Sequence, residues 1–451
     1  MVIRETSTRV RLPTCHVFLM LTATVVSAAG ANWPAWRGPE GSGVSQETNL
    51  PLHWSTNKNV RWSVRLPAPG NSTPIVWGDK VFITQAIEKD QVRRVICFSR
   101  SNGELLWQAG TVWAEEERGG ESNPPCSPSP VTDGERVIAW FGSAGVYCYD
   151  MAGHELWRRD LGPQSHVWGY ASSPVLFGDL CLLNFGPGSR CFVIAMEKKT
   201  GKTVWQYDVP PIGPDAKWED FGGTLDEWKQ MGSPKVADVS GSCATPLLVQ
   251  TRERDELVAA FELRVLAFAP RTGQRLWICA GPNTCAYSSP CFGDGLVYLT
   301  ESGSRNIAMA IRPGGSNDVT VTHRLWHSGP PASKICIGSP VICQGHVYQV
   351  TAGGAAQCLD LQTGRVVWDQ RLAGSGTRNS SWSSVLLAGD RLYAPNQNAD
   401  VFVLRASTNF AGLATNSIGG EKMNASLAVS DGDIFLRTHN RLWCITEKPQ
   451  P

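Results

Sequence analysis

The chain has 451 residues, 18% of them charged and 42% hydrophobic, and its formal net charge is +1 with no basic run anywhere. That balance counts against nucleic acid as a partner, because phosphate binding needs a concentrated basic surface. The length would hold two or three average domains unless internal repetition joins it into one body.

The N-terminal residues differ from the rest. Arg4, Arg9 and Arg11 precede an apolar run from Val17 to Val26, and the small residues SAAGA follow, with a cleavage position after Ala31. Residues 1–31 therefore read as a secretory signal peptide, too short to span a bilayer comfortably; the alternative is an uncleaved anchor. Cys15 lies ahead of the apolar run and not at the cleavage position, which counts against a lipid-anchored N-terminus. An exported protein, periplasmic or extracellular, is expected, with no transmembrane segment after leader removal. Residues 32–59 form an N-terminal strap, and residues 448–451 a short tail.

Between them a unit recurs. It reads small-Ser-x-Pro, two apolar residues, a Gly-Asp turn and an alternating strand, as in NSTPIVWGDKVFIT at Pro74, YASSPVLFGDLCLL at Pro174 and YSSPCFGDGLVYLT at Pro290. Variants stand at Pro130, Pro246 and Pro340, and degenerate copies at Val385 and Ala428, so there are eight units at steps of 43 to 72 residues. Short alternating apolar runs bounded by Gly and Asp are strands in tight hairpins, because those residues accept positive φ. About four strands per unit predict an all-β, eight-bladed β-propeller of four-stranded antiparallel blades over residues 60–447. The longest step, from Pro174 to Pro246, contains an insertion, 206–241, with Trp218 and Trp228. Insertions of that length in a compact ring are functional or disordered, and exposed tryptophans there would mark a contact surface.

A second motif places a tryptophan four residues after a turn glycine, at Trp107, Trp157, Trp205, Trp277 and Trp368. Blades splay apart outward, so a large ring near the outer strand fills the wedge, and these tryptophans read as structural. VRWSVRL around Trp62 has the tryptophan but no preceding blade, while the last unit has no outer strand. The N-terminal segment is thus expected to close the ring as the outer strand of the last blade. With Trp62 and Trp326, seven blades have their tryptophan, and Phe410 is the candidate for the eighth. Cys97, Cys148, Cys358 and Cys444 share one repeat position with Ala195 and Ala267, a site that asks for a small apolar group. Of the fourteen cysteines, most read as buried thiols; Cys181 with Cys191, or Cys336 with Cys343, are candidate local bridges. No C-x-x-C pair or histidine cluster points to a metal.

Propellers work through the mouth of the central channel, where loops lead into each innermost strand. The residues there are Asn71, Asn123, His166, Trp168, Tyr170, Asn283, Tyr287, Lys334, Arg378, Asn379, Trp382 and Asn424. Amides, aromatics and two cations converging there suit a flat, anionic, polar ligand; alternatively, these side chains cap strand ends and neighbouring loops.

The D-x-x-T-G-x-x-x-W unit, as LDLQTGRVVW, resembles the pyrroloquinoline quinone (PQQ)-like repeat of quinoprotein alcohol dehydrogenase-like propellers. NWPAWRGPEGSGVS, Asn32 to Ser45, is similar to the start of many exported bacterial proteins of that group. The resemblance implies the fold and leaves two functional outcomes. Quinoprotein dehydrogenases add an adjacent cysteine pair, a calcium site of Glu and Asn side chains and an Asp base. This chain has no Cys-Cys dipeptide and no carboxylate in the Ser-x-Pro approaches, so no catalytic residue is assigned. The BamB-like, non-catalytic branch is a scaffold that binds envelope proteins, although the lipid-attachment cysteine of that subunit is missing here. The expectation is a non-catalytic binding or scaffold module of the cell envelope with an envelope protein or small polar ligand as partner, and with no cofactor. Two alternatives are a PQQ- and calcium-dependent dehydrogenase, with Lys334 and Arg378 pairing the quinone and Trp168 or Trp382 stacking on it, and a carbohydrate- or peptide-binding propeller using the insertion.

Overall fold

The computed structural model describes residues 1–2, 31–115, 117, 122–211, 222–223, 241–281, 286–300, 307–328 and 335–447. The leader, most of the 206–241 insertion with Trp218 and Trp228, and the candidates Asn283 and Lys334 lie outside the described residues.

Eight antiparallel sheets, one for each predicted unit, form the ring. Blade one runs outward through Ile75–Trp77, Lys80–Ile87, Val92–Ser99 and Leu105–Val112. Each innermost strand starts directly after a small-Ser-x-Pro unit or its degenerate copy, and in six blades it joins its neighbour by a two-residue hairpin; blades two and four use longer turns, 133–135 and 251–254. Asp294 and Gly295 take φ of 50° and 77°, Asp431 and Gly432 take 50° and 77°, the doubly positive conformation that matches strand twist. Blade eight consists of Ala428–Ser430, Asp433–Arg437, Arg441–Thr446 and, as its outer strand, Val60–Arg65, with Trp62 opposite Cys444. The ring is therefore closed by the N-terminal strand. Arg61 fastens the same joint through a two-pronged pair with Asp433, at 2.8 and 3.0 Å.

The Gly-x-x-x-Trp spacing couples neighbouring blades. Across each blade's outer strand pair, the tryptophan faces a Cys or Ala: Trp107 opposite Cys97, Trp157 opposite Cys148, Trp205 opposite Ala195, Trp277 opposite Ala267, Trp326 opposite Ala310 and Trp368 opposite Cys358. Only a small side chain leaves room there for the indole. The indole then reaches to the next blade, where Trp107, Trp157 and Trp205 donate to the carbonyls of Met151, Lys198 and Pro270. Trp277 is the exception and donates to Glu256 at 2.7 Å, because the next blade replaces the Thr-Gly turn with a one-turn helix, Thr320–His323. In blade seven Ala414 occupies the tryptophan's register, opposite Val403. Phe410 does not substitute for it; its ring packs edge-on against Trp368 of blade six, 5.2 Å between centroids.

All twelve described cysteines are thiols and eleven of them are buried. The two expected local bridges, Cys181 to Cys191 and Cys336 to Cys343, do not form: Cys181 packs against Leu183, Ile194 and Met196 in one core cluster, while Cys191 belongs to another, with Trp205 and Val209.

The strap crosses one end of the ring. Trp33 bridges to Val76 of blade one, and Pro34 accepts the Thr132 amide of blade two. Arg37 then reaches the Ser339 and Pro340 carbonyls of blade six, and Val44–Ser45 adds a parallel strand beside Leu387 and Ala388 of blade seven. The Arg37 guanidinium is fully buried, held by backbone carbonyls and no carboxylate, and burial pulls it down to about 10.

Candidate functional site

The strap crosses the central channel and borders a well of about 500 Å³; a second cavity of about 550 Å³ shares Trp36, Thr245 and Ser289 with it. The wall of the well is a ring of hydroxyls, one per blade, from the Ser or Thr that ends each repeat's small-Ser approach. The amide of Thr73 donates to Ser129 Oγ at 2.8 Å, that of Ser129 to Ser173, that of Ser173 to Thr245 and that of Thr245 to Ser289. The series continues from Ser289 to Ser339, Ser384 and Ser426, and closes with the Ser426 amide on Thr73 Oγ1 at 3.0 Å. Each amide points out of its own sheet into the next blade, where no ladder partner exists. A hydroxyl at that position satisfies a donor that burial would otherwise leave orphaned.

Trp36 forms part of the floor, and the mouth carries Asn71, Ser122, Asn123, Trp168, Tyr287, Ile337, Trp382 and Asn424. The rim is tied together by amides. Asn71 and Asn424 both donate to the Ser122 carbonyl at 2.9 Å, and Asn123 donates to the Trp168 carbonyl at 2.7 Å. Trp168 itself is 55% exposed, with Val167 and Ile335 beside the mouth also exposed.

Six of the sequence candidates thus line the well: Asn71, Asn123, Trp168, Tyr287, Trp382 and Asn424. Four others do not. His166 is buried and accepts the Trp168 amide through Nδ1, and burial lowers its basicity. Tyr170 is buried against Trp140, 4.9 Å between ring centroids, accepts the Cys126 amide and donates to Glu117. Asn379 accepts the Gly374 amide within its own loop, and Arg378 donates outward to the Gly420 carbonyl. These side chains hold loops, the alternative weighed from sequence, and a single residue's error in placing a strand end is enough to turn a lining position into a supporting one. Every described residue lining the well is uncharged; Lys334 lies outside the described residues, and cations stand behind the rim, where Lys422 donates to Ser122 Oγ at 3.3 Å and Lys422, Arg437 and Arg378 surround His439, which meets Asn71 Oδ1. What sequence reading missed is the hydroxyl ring and the Trp36 floor. The ring's signal was present in every unit, as the Ser or Thr immediately before the Pro or its replacement.

With this geometry in place, comparison with known proteins decides the family. The profile described as outer membrane protein assembly factor BamB matches residues 44–161, 91–280 and 280–449. The chain belongs to the BamB family. Among solved structures it is similar to BamB from Moraxella catarrhalis, with a TM-score of 0.56 at 14% identity over 85% of this chain and 98% of that one. It is also similar to the quinohemoprotein alcohol dehydrogenase ADHIIG from Pseudomonas putida HK5, with a TM-score of 0.57 at 11% identity over 93% and 82%. The computationally designed Ika8 protein gives 0.55 at 10% identity over 86% and 99%. At such identities the likeness is one of fold. None of the curated proteins matches the chain.

The same superfamily raises the question of pyrroloquinoline quinone with calcium. That cofactor carries carboxylates, which an uncharged wall would have to desolvate at a cost of several kcal/mol. Calcium takes about six to eight oxygen ligands, usually with carboxylates among them; the described lining offers only amide, hydroxyl and carbonyl oxygens, and no group of three His, Cys, Asp or Glu able to hold a metal occurs among the described residues. The described lining of this BamB-family well does not fit that pair.

Proposed function

We propose that this BamB-family propeller is a non-catalytic binding module of the cell envelope, working through the mouth of its central well. The observation that carries this reading is the chemistry of the lining: hydroxyls, amides and aromatics, with no charged group among the described residues. General acid–base chemistry needs a titratable group within hydrogen-bond reach of the reacting atoms. A wall of serines and asparagines supplies directional binding without one. The apolar lip of Val167, Trp168 and Ile335 around a polar depression suits an envelope protein that inserts a side chain or a small polar ligand. The leader pattern ending at Ala31 supports export, to the periplasm or beyond.

The test is a titration of the chain from Asn32 onward with pyrroloquinoline quinone and calcium, following absorbance and heat, with dye-linked oxidation of alcohols and sugars assayed alongside. No saturable binding and no dye reduction are expected. Saturable one-to-one binding together with dye reduction would put the dehydrogenase reading first.

A further inference from the structure

The hydroxyl ring has unused capacity. Each of its eight oxygens accepts a neighbour's amide, and none of the eight O–H groups has an acceptor among the described residues. All eight residues are at least nine-tenths buried; Ser384 is 4% exposed and Thr245 7%, and all face the well. A hydroxyl has one donor and two acceptor positions, so each of these groups can donate once and still accept once more. The wall therefore needs a guest that offers acceptors and donors radially, around its circumference. Below this belt lies the indole of Trp36, and above it Trp382 and Tyr287.

We propose that the well binds one neutral sugar ring, the terminal unit of a saccharide, lying across the axis; this rests on the reading of the well as a binding site. A pyranose with equatorial substituents carries its hydroxyls around its edge and its C–H groups on two apolar faces. Its edge meets the hydroxyl belt and its faces meet the indole below and the aromatic side chains above. An oxyanion would also satisfy the donors, but no described lining residue is charged; Lys422 stands behind the rim, on Ser122 Oγ at 3.3 Å, so an anion at the hydroxyl belt keeps much of its desolvation cost. The cavity of about 500 Å³ falls within the usual range of small-molecule sites.

The experiment uses the chain from Asn32 onward with methyl β-glucopyranoside as the probe, followed by titration calorimetry and tryptophan fluorescence, with gluconate and inorganic phosphate as anionic comparators. Expected are one-to-one binding of the glucoside, a change in tryptophan emission, and at least a tenfold weakening in Trp36→Ala. Because Trp36→Ala acts on the strap, Ser384→Thr serves as the second variant: it keeps the acceptor for the Ser339 amide while adding a methyl group to the wall. It should weaken the glucoside tenfold with an unchanged unfolding midpoint. Tighter binding of gluconate or phosphate than of the glucoside overturns the proposal in favour of an oxyanion site. Silence toward the glucoside by a folded chain also overturns it, while leaving the non-catalytic reading intact. Glucoside binding accompanied by dye reduction leaves the sugar site standing and overturns the non-catalytic reading instead.

Discussion

Trp157 of blade two stands on Gly201 of blade three: the indole donates to the Lys198 carbonyl at 3.0 Å, and a Cβ at Gly201 would lie 2.6 Å from the indole Cε3. The same relation joins Trp62 to Gly103, Trp107 to Gly153, Trp205 to Gly273 and Trp326 to Gly364. The glycine is needed twice over, for its φ of 71° and for the absence of a side chain.

Gly201→Ala should therefore cost about 2–4 kcal/mol, combining a left-handed backbone with an overpacked blade interface. Gly295→Ala is the control. Its φ is 77° but a Cβ there meets nothing within 4 Å, so only the backbone cost of about 1 kcal/mol remains. Urea unfolding of the two variants separates packing from strain; equal losses would refute the interlock.

Removing one hydroxyl from the central ring tests its structural share. Ser289→Ala leaves the Thr245 amide, which it accepts at 2.8 Å, buried without a partner, at an expected cost of about 1–3 kcal/mol. Ser289→Thr keeps the acceptor and should stay within about 1 kcal/mol of the parent, as Thr73 and Thr245 already serve in this role. Thermal unfolding of the pair provides the comparison.

His439 makes acid stability predictable. Burial, then the nearby charges of Lys422, Arg437 and Arg378, bring the imidazole from 6.5 down to about 4. Between those values the unfolded chain binds a proton that the folded chain refuses, so the stability is fully present above pH 6.5 and falls as pH drops toward 4, by on the order of 2 kcal/mol. His439→Gln, which keeps a donor toward Asn71 Oδ1, should flatten that limb. Glu262, raised by burial to about 7, acts in the opposite sense, so the difference between parent and variant is the quantity to measure. An identical pH slope in both would remove His439 as the cause.

The thiols should be inert. Burial pushes Cys97, Cys148 and Cys358 up to about 12, so little nucleophilic thiolate forms at neutral pH. Among the twelve described cysteines, Cys343, which alone is not buried, should be alkylated first, as peptide-resolved mass spectrometry would show. A reductant should leave the melting temperature unchanged; a clear drop would reveal a disulfide.

The architecture was legible because one spacing, glycine to tryptophan, and one unit, Ser-x-Pro, recur with the blades, and repetition fixes a fold more firmly than any local propensity. Ring closure was legible from a mismatch, a tryptophan strand without a blade at Trp62 and a blade without a tryptophan strand at Trp443. The site was legible in part. Asn71 and Trp382 reach the well because each stands four residues before its innermost strand, and Trp168 from the loop leading into Val175–Phe177. His166 and Tyr170 share that stretch of chain, yet a loop has two faces, and which of its side chains turn inward depends on neighbours distant in sequence, such as Trp140 under Tyr170. Trp36 was beyond reach for a related reason: only the path of the strap across the ring, set by Arg37 on blade six, brings it to the channel.

The closure through blade eight also determines when the molecule can exist. Arg61 and Asp433 are 372 residues apart, so the first blade strand to be synthesised has no partner until nearly the last one has been made. A nascent chain can stack seven blades, but it must carry Val60–Arg65 as an unpaired edge until Arg441–Thr446 emerges, and a stop codon just ahead of Arg441 would yield seven blades beside a permanently open gap. Assembly is thus all or nothing with respect to length, and the vulnerable interval is the time between the two ends.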